Sequence, residues 1–168
     1  MKTCIVCNKE NNNRMSKTCS IACAKQRVKK TKSKPSKVKL FTLQAKADTL
    51  MSEYIRRKYS DEHGYVKCVS CGRIFRWQEV DCGHFIPKSR GAAIRYVEEN
   101  VHPECRGCNR FDEGHLIGYT LYMLDMYSKS GIEELKADAR KVLTPSQKRS
   151  LVEEAISYYS KRLDELNV

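Results

Sequence analysis

The sequence predicts an α+β protein: a small core of short strands braced by a four-cysteine zinc site and flanked by helices, with a separate N-terminal four-cysteine zinc ribbon or knuckle. Three observations predict it. Eight of the nine cysteines fall into two sets of two pairs. The chain between the pairs of the second set alternates short β-prone and polar stretches, and the segments around it carry apolar residues at helical spacing.

The first set is Cys4-x2-Cys7 followed, after eleven residues, by Cys19-x3-Cys23. A CxxC turn brings two thiolates to neighbouring corners of a tetrahedron about 2.3 Å from the metal, so two turns close one zinc site. Residues 1–24 are read as this zinc knuckle. In Lys25–Lys39 eight of fifteen residues are basic, none is acidic, and Pro35 interrupts any helix. Residues 25–39 are therefore read as a basic linker, flexible or only partly helical, and as the natural domain boundary.

Residues 40–63 hold an amphipathic helix, with Leu43, Ala47, Leu50, Met51, Tyr54 and Ile55 on one face and "DEHG" closing it. Residues 64–115 carry the second set, Cys68-x2-Cys71 and, 33 residues on, Cys105-x2-Cys108. An aromatic, β-prone stretch runs to Val80, and a polar segment follows from Asp81 to Arg90. Residues 116–168 are helical: Leu116–Tyr127 up to a break at Gly131, then Ile132 to about Leu143, then a last helix after "TPSQ". There Thr144 can cap, Pro145 fits the first turn and Gln147 completes a capping box. Val152, Ala155, Ile156, Tyr159, Leu163 and Leu166 form the apolar stripe of that helix.

Charge divides the chain. The net charge is +12, but residues 1–39 hold 12 Lys and Arg against the single acid Glu10, and the remainder is close to balance. No apolar run approaches the roughly 20 residues of a membrane span, and the first residues are too polar for a signal peptide. A cytoplasmic location follows, where nine cysteines are metal ligands or thiols and not a disulfide framework. A basic stretch beside a zinc module is an electrostatic grip on phosphates, so nucleic acid is the expected partner; a solvated linker is the plainer reading.

A site closed by four thiolates has no open position for chemistry. Any reaction falls to the residues that the metal holds in place, here Asp81, His84, Asn100, His102 and Asn109, whose oxygen and imidazole groups suit a hard or borderline divalent cation. Spread over residues 68–115, the order CxxC, Asp-x-Gly-His with a following Pro, a central Asn, then CxxC-Asn resembles the HNH endonucleases. That resemblance implies a ββα-metal (HNH-like) core and is similar also to the junction resolvases of the endonuclease VII type. Over nearly its whole length, through "CVSCG", "DCGHF" and "NVHPECRGCN", the chain resembles the phage NinG (Rap) recombination proteins.

The resemblance implies a general base at His84, whose ordinary pKa near 6.5 permits a neutral ring at pH 7. It implies a catalytic Mg²⁺ or Mn²⁺ at Asp81 and Asn109, beside two structural Zn²⁺, and an orienting role for Asn100. The family's pattern puts a ligand directly before the base, where this chain has Gly83, so Asp81 would reach in from three residues before His84. His102 is a tentative third ligand. The plainer readings are a turn-forming Asp81, a structural His84, an Asn109 that only starts a helix, a packed Cys82, and a solvated surface for Asp112, Glu113 and His115.

Lys29, Lys30, Lys32, Lys34, Lys88, Arg90 and Arg110 are the expected DNA contacts. Arg73, Arg76, Arg95 and Arg106 add charge that Glu79, Glu98, Glu99 and Glu104 partly neutralise. Phe75, Trp77 and Phe85 are expected in packing before base stacking. The function expected is a metal-dependent, structure-selective DNA endonuclease acting on branched DNA such as Holliday junctions or D-loops, in a phage-infected or lysogenic bacterial host. Phage or host recombination proteins are further expected partners, and a homodimer through the tyrosine-rich last helix would pair two active sites. The rivals are a non-catalytic zinc-binding nucleic-acid adaptor and a sequence-specific HNH nuclease.

Overall fold

The computed structural model describes residues 2–11, 16–30, 38–111 and 116–166, with the side chains of 27–30 outside that description. It divides into two compact units, Met1–Val38 and Lys39–Val168. Both mix short extended pieces with helix, in keeping with the α+β expectation. No helix among the described residues is long and apolar enough to cross a membrane.

The first unit is a knuckle followed by a helix. Thr3 and Glu10 form an antiparallel bridge around a turn in which Cys4 N donates to Lys9 O at 2.8 Å, and Asn8 takes the left-handed conformation that closes it. Helix α1, Ile21–Lys30, contains Cys23 and runs six residues into the segment expected to be a linker. Lys29 and Lys30 thus lie on a helix, while Lys32 and Lys34 lie outside the described residues.

The second unit is built on two helices that flank two small sheets. Helix α2, Leu40–Lys58, buries Ala47, Met51, Tyr54 and Ile55 against the last helix, α5, Pro145–Leu166, which buries Val152, Ala155, Tyr159 and Leu163. These are the two stripes that the sequence periodicity marks, so the apolar and tyrosine face of α5 is spent on the protein's own core. Tyr159 also donates its hydroxyl to Tyr96 O at 2.7 Å. Thr144 and Gln147 form the expected capping box, Gln147 Oε1 accepting from Thr144 N at 2.9 Å and Thr144 Oγ1 from Gln147 N at 3.3 Å.

Strands β1, Tyr65–Lys67, and β2, Ile74–Arg76, pair antiparallel across the CxxC turn, where Gly72 adopts φ +73°. Strand β3, Val80–His84, pairs antiparallel with β4, Val101–Cys105, so the polar segment that starts at Asp81 begins as a strand. Helix α3, Arg106–Arg110, follows β4 directly. Helix α4, Leu116–Ala139, carries its break at Ser128 (φ 59°, ψ 171°) and not at Gly131. Its Tyr119, Met123, Ile132 and Leu135 pack with Ile94 in a second apolar cluster.

Met51 is 1% exposed at the α2–α5 contact. Met51→Ala is expected to destabilise the second unit by about 2–5 kcal/mol, read as a lower urea midpoint at unchanged slope.

Candidate functional site

Two cysteine clusters organise the chemistry. Cys4, Cys7, Cys19 and Cys23 form one, and Cys68, Cys71, Cys105 and Cys108 the other; in each, all ligand atoms lie within 4.8 Å of one another. A tetrahedral zinc with 2.3 Å bonds separates its sulfurs by about 3.8 Å. Sulfur pairs at 3.5 Å (Cys7–Cys19), 3.7 Å (Cys19–Cys23) and 3.9 Å (Cys71–Cys105) match that spacing, so both clusters could hold a metal ion and zinc suits them. Cys82, the odd cysteine, packs against the α2–α5 core, and burial pushes its thiol up to about 12.

The second cluster does mechanical work. Cys105 ends β4 and Cys108 sits in the first turn of α3, while Cys68 and Cys71 belong to the turn between β1 and β2. The cluster therefore joins one sheet to the other and fixes where α3 starts. Asn109, next in the chain, donates its amide to Asp81 Oδ2 at 3.0 Å. That leaves Asn109 Oδ1 as its acceptor atom. Arg110 closes on the same carboxylate from its other side, Nε to Oδ2 at 2.7 Å and Nη2 to Oδ1 at 2.8 Å. Burial opposes the Asp81 charge, but the bonds from Arg110 and Asn109 outweigh it and hold the carboxyl below its usual range. Arg110, expected on DNA, is thus committed to Asp81.

An open cleft of about 760 Å³ lies beside this group, lined among others by His84, Lys88, Arg90, Glu104, Asn109 and Tyr119. His84 Nε2 lies 3.0 Å from the carbonyl oxygen of Arg95. A carbonyl can only accept, so Nε2 carries the proton and Nδ1 is the basic atom. Burial pushes the ring down to about 4, only partly offset by that hydrogen bond, so it is neutral at pH 7.

The loop that carries the Arg95 carbonyl is held at three points. Asn100, fully buried, accepts from Ile86 N at 2.8 Å and donates to Ile86 O at 3.1 Å. Phe85 N donates to Asn100 O at 2.9 Å. Asp48, on α2, takes a two-pronged ion pair from Arg95, with Nε–Oδ1 at 3.0 Å, and a second from Lys88 at 3.3 Å. Lys88 is thereby paired, while Arg90 lines the cleft exposed.

His102 is not placed as a third ligand. Its ring is fully buried, with Nδ1 3.0 Å from the Tyr119 hydroxyl and Nε2 3.0 Å from that of Tyr127. Tyr119 gives its proton to Gly83 O at 3.2 Å, so it accepts from His102 Nδ1, and Nε2 then accepts from Tyr127. Both nitrogens are used, and burial pushes the ring down to about 4. Asn100 closes a 3-10 turn, Glu98–Asn100, before β4 begins, so strand alternation does not put the two side chains on one face.

Sequence reasoning did not assign Asp48 or Ser70 a place at the site, and it read Glu104 only as a counter-charge to nearby arginines. Glu104 is 1% exposed, accepts from the Ser70 hydroxyl and lines the cleft. Only the pairing of Asp81 with Glu104 and Gly83 with His102 across β3 and β4 reveals it. Trp77 sits under Arg56 and Arg57, and Phe85 packs on the Tyr119 ring, so both serve packing. Asp112, Glu113 and His115 lie outside the described residues.

Residues 1–166 match the family model described as Bacteriophage Lambda NinG protein. The chain belongs to this family. Among curated NinG relatives, "Protein ninG" of Salmonella phage P22 is 25% identical over 95 residues, which is 56% of this chain and 44% of that protein. The proteins of the same name from Escherichia phage 933W and Escherichia phage lambda are each 25% identical over 92 residues, 55% of this chain and 43% of theirs. The matched stretch thus spans under half the length of these NinG proteins. No solved structure matches the chain significantly.

Two outcomes follow from this geometry. The purified chain is expected to carry two zinc ions by elemental analysis; Cys4→Ser should leave one and not alter the melting of the second unit, whereas Cys105→Ser should lose one and lower that melting temperature. The ring resonances of His84 and His102 are expected flat from pH 8 to 5.5. Between pH 6.5 and 4 the unfolded chain takes up protons that these rings refuse, so stability falls as pH drops, by roughly 2 kcal/mol per ring at pH 5 in denaturation experiments.

Proposed function

We propose that this NinG-family chain is a metal-dependent DNA endonuclease with an HNH-like core that cuts branched DNA during phage recombination. One observation carries the reading: a single cleft brings together a neutral histidine whose Nδ1 is its basic atom and an asparagine placed by a thiolate-braced helix. In this reading His84 Nδ1 takes a proton from water as the water oxygen bonds to phosphorus and the P–O3′ bond breaks. Arg95 O and Asn100 keep the ring and its loop from turning, so the base needs no reorganisation when it acts. Lys88 and Arg90 face the phosphates that flank the cut, and the basic first unit adds a sequence-independent grip.

The donor set fits a divalent cation: an amide oxygen on Asn109 and carboxylates on the β3–β4 face are hard oxygen ligands. Bound there, Mg²⁺ or Mn²⁺ would offset the charge on the departing 3′-oxygen. The paired Asp81 and Arg110 favour one rival, a non-catalytic adaptor whose acid serves only to hold α3.

The test uses zinc-loaded full-length chain with a labelled four-way junction, a D-loop and matched duplex, in Mg²⁺, Mn²⁺ or EDTA. Metal-dependent cuts near the branch are expected, with the rate falling about 10²–10⁴-fold in His84→Ala while junction binding persists. Binding without cleavage by the wild-type chain would establish the adaptor instead.

A further inference from the structure

Three successive carbonyls in the loop after β3 each accept from a different side chain. Ile94 O accepts from Asn100 Nδ2 at 3.4 Å, Arg95 O from His84 Nε2 at 3.0 Å, and Tyr96 O from the Tyr159 hydroxyl at 2.7 Å. The carbonyl that receives the His84 proton is thus the middle one of a run held at both neighbours. Its own residue is held too, by its side chain.

Arg95 sends Nε to Asp48 Oδ1 at 3.0 Å and Nη2 to Asp48 Oδ2, the forked form that fixes direction as well as distance. The two side chains are 22% and 25% exposed, so solvent screens this pair less than the surface pairs Lys136–Glu133 and Arg162–Glu165. Asp48 stands on α2, which is itself fixed by its buried Ala47, Met51, Tyr54 and Ile55. It does not line the cleft, so its reach into the cleft passes through Arg95 or through its single contact with Lys88 at 3.3 Å.

We propose that Asp48 is a positioning residue for His84: it pins Arg95, Arg95 O retains the Nε2 proton, and the ring is kept in one orientation with Nδ1 bare. The assignment rests on the nuclease reading above and adds to it a residue of α2, outside the HNH-like segment. A base that is free to swing must be brought back to the reacting water before it acts, and a fixed acceptor removes that step.

The test follows the His84 Nε2 proton in long-range proton–nitrogen correlation spectra of the zinc-loaded full chain, with His84→Ala to assign the signal. In the wild-type chain this proton is expected to exchange slowly with water, because the bond to Arg95 O protects it. Asp48→Ala, favourable within a helix, and Arg95→Ala, which keeps the carbonyl but frees it, are each expected to speed the exchange at least about tenfold. Lys88→Ala is expected to leave it unchanged, and Asp48→Ala to add nothing in the Arg95→Ala background. On a labelled four-way junction with Mg²⁺ or Mn²⁺, Asp48→Ala is expected to lower kcat about 10–100-fold without weakening junction binding.

Wild-type exchange in both Asp48→Ala and Arg95→Ala would overturn the Asp48 assignment and leave the nuclease reading standing. So would an effect of Asp48→Ala that Lys88→Ala reproduces. A wild-type chain that binds the junction and cuts nothing would overturn the nuclease reading and the catalytic role of Asp48 with it, whatever the exchange rates.

Discussion

The four-thiol cluster of Cys68, Cys71, Cys105 and Cys108 is the constraint on which the rest of the second unit depends. Neither sheet has enough strands to be stable alone, since an isolated two-stranded pair is marginal in water. A metal held by this cluster would bridge the β1–β2 turn to the end of β4 and stand in for the missing strands as a cross-link. The same bond fixes α3, a helix of only five residues that could not form by itself. Helices α2 and α5 then supply the apolar burial that the sheets lack, with Tyr54, Tyr159 and Met51 at the centre of their contact.

The helices also govern the cleft. Asp48 lies beside the buried Ala47 of α2, yet it reaches the loop after β3 through Arg95 and Lys88. That loop ends in the carbonyl that sets the His84 tautomer. Packing of α2 on α5 is thereby connected, through one carboxylate and one backbone oxygen, to the protonation state of a side chain in the cleft. His102 plays a parallel part behind the strand: its hydrogen-bonded run from Tyr127 through Tyr119 ends on Gly83 O and holds the backbone just before His84.

Much of this was legible in the sequence, and the limits have physical causes. Cysteine spacing, the α2 and α5 stripes and the Thr144–Gln147 box are local patterns, each set by residues within a turn or two of one another, and they read directly. The break in α4 was misplaced because Gly131 is permissive but tolerated inside a helix, whereas the non-helical residue is Ser128, a residue type that does not by itself mark a break. His102 was misread because a buried histidine satisfied by two tyrosines, at positions 119 and 127, has no local signature. Glu104 and Asp48 depend on pairing across residues far apart in the chain. Asp81, His84, Asn100 and Asn109 were legible as a group because motif order survives without knowledge of contacts; which of them reaches the cleft was not.

The pairing of Asp81 with Glu104 carries a last consequence. Two carboxylates side by side on one face of a sheet crowd one another, so each needs its own anchor. Asp81 meets that need with Arg110, a partner exposed enough that solvent screens the attraction and the pair acts chiefly as a hinge pin for Asn109. Glu104 is met from inside, by a hydroxyl on Ser70, in the very turn whose cysteines make the thiolate cluster. The two acids are therefore answerable to different parts of the fold, one to the end of α3 and one to the knuckle. A metal held by Cys68, Cys71, Cys105 and Cys108 would tie the Ser70 turn and α3 to one point, so that its loss would shift both cleft-lining residues, Glu104 and Asn109, at once.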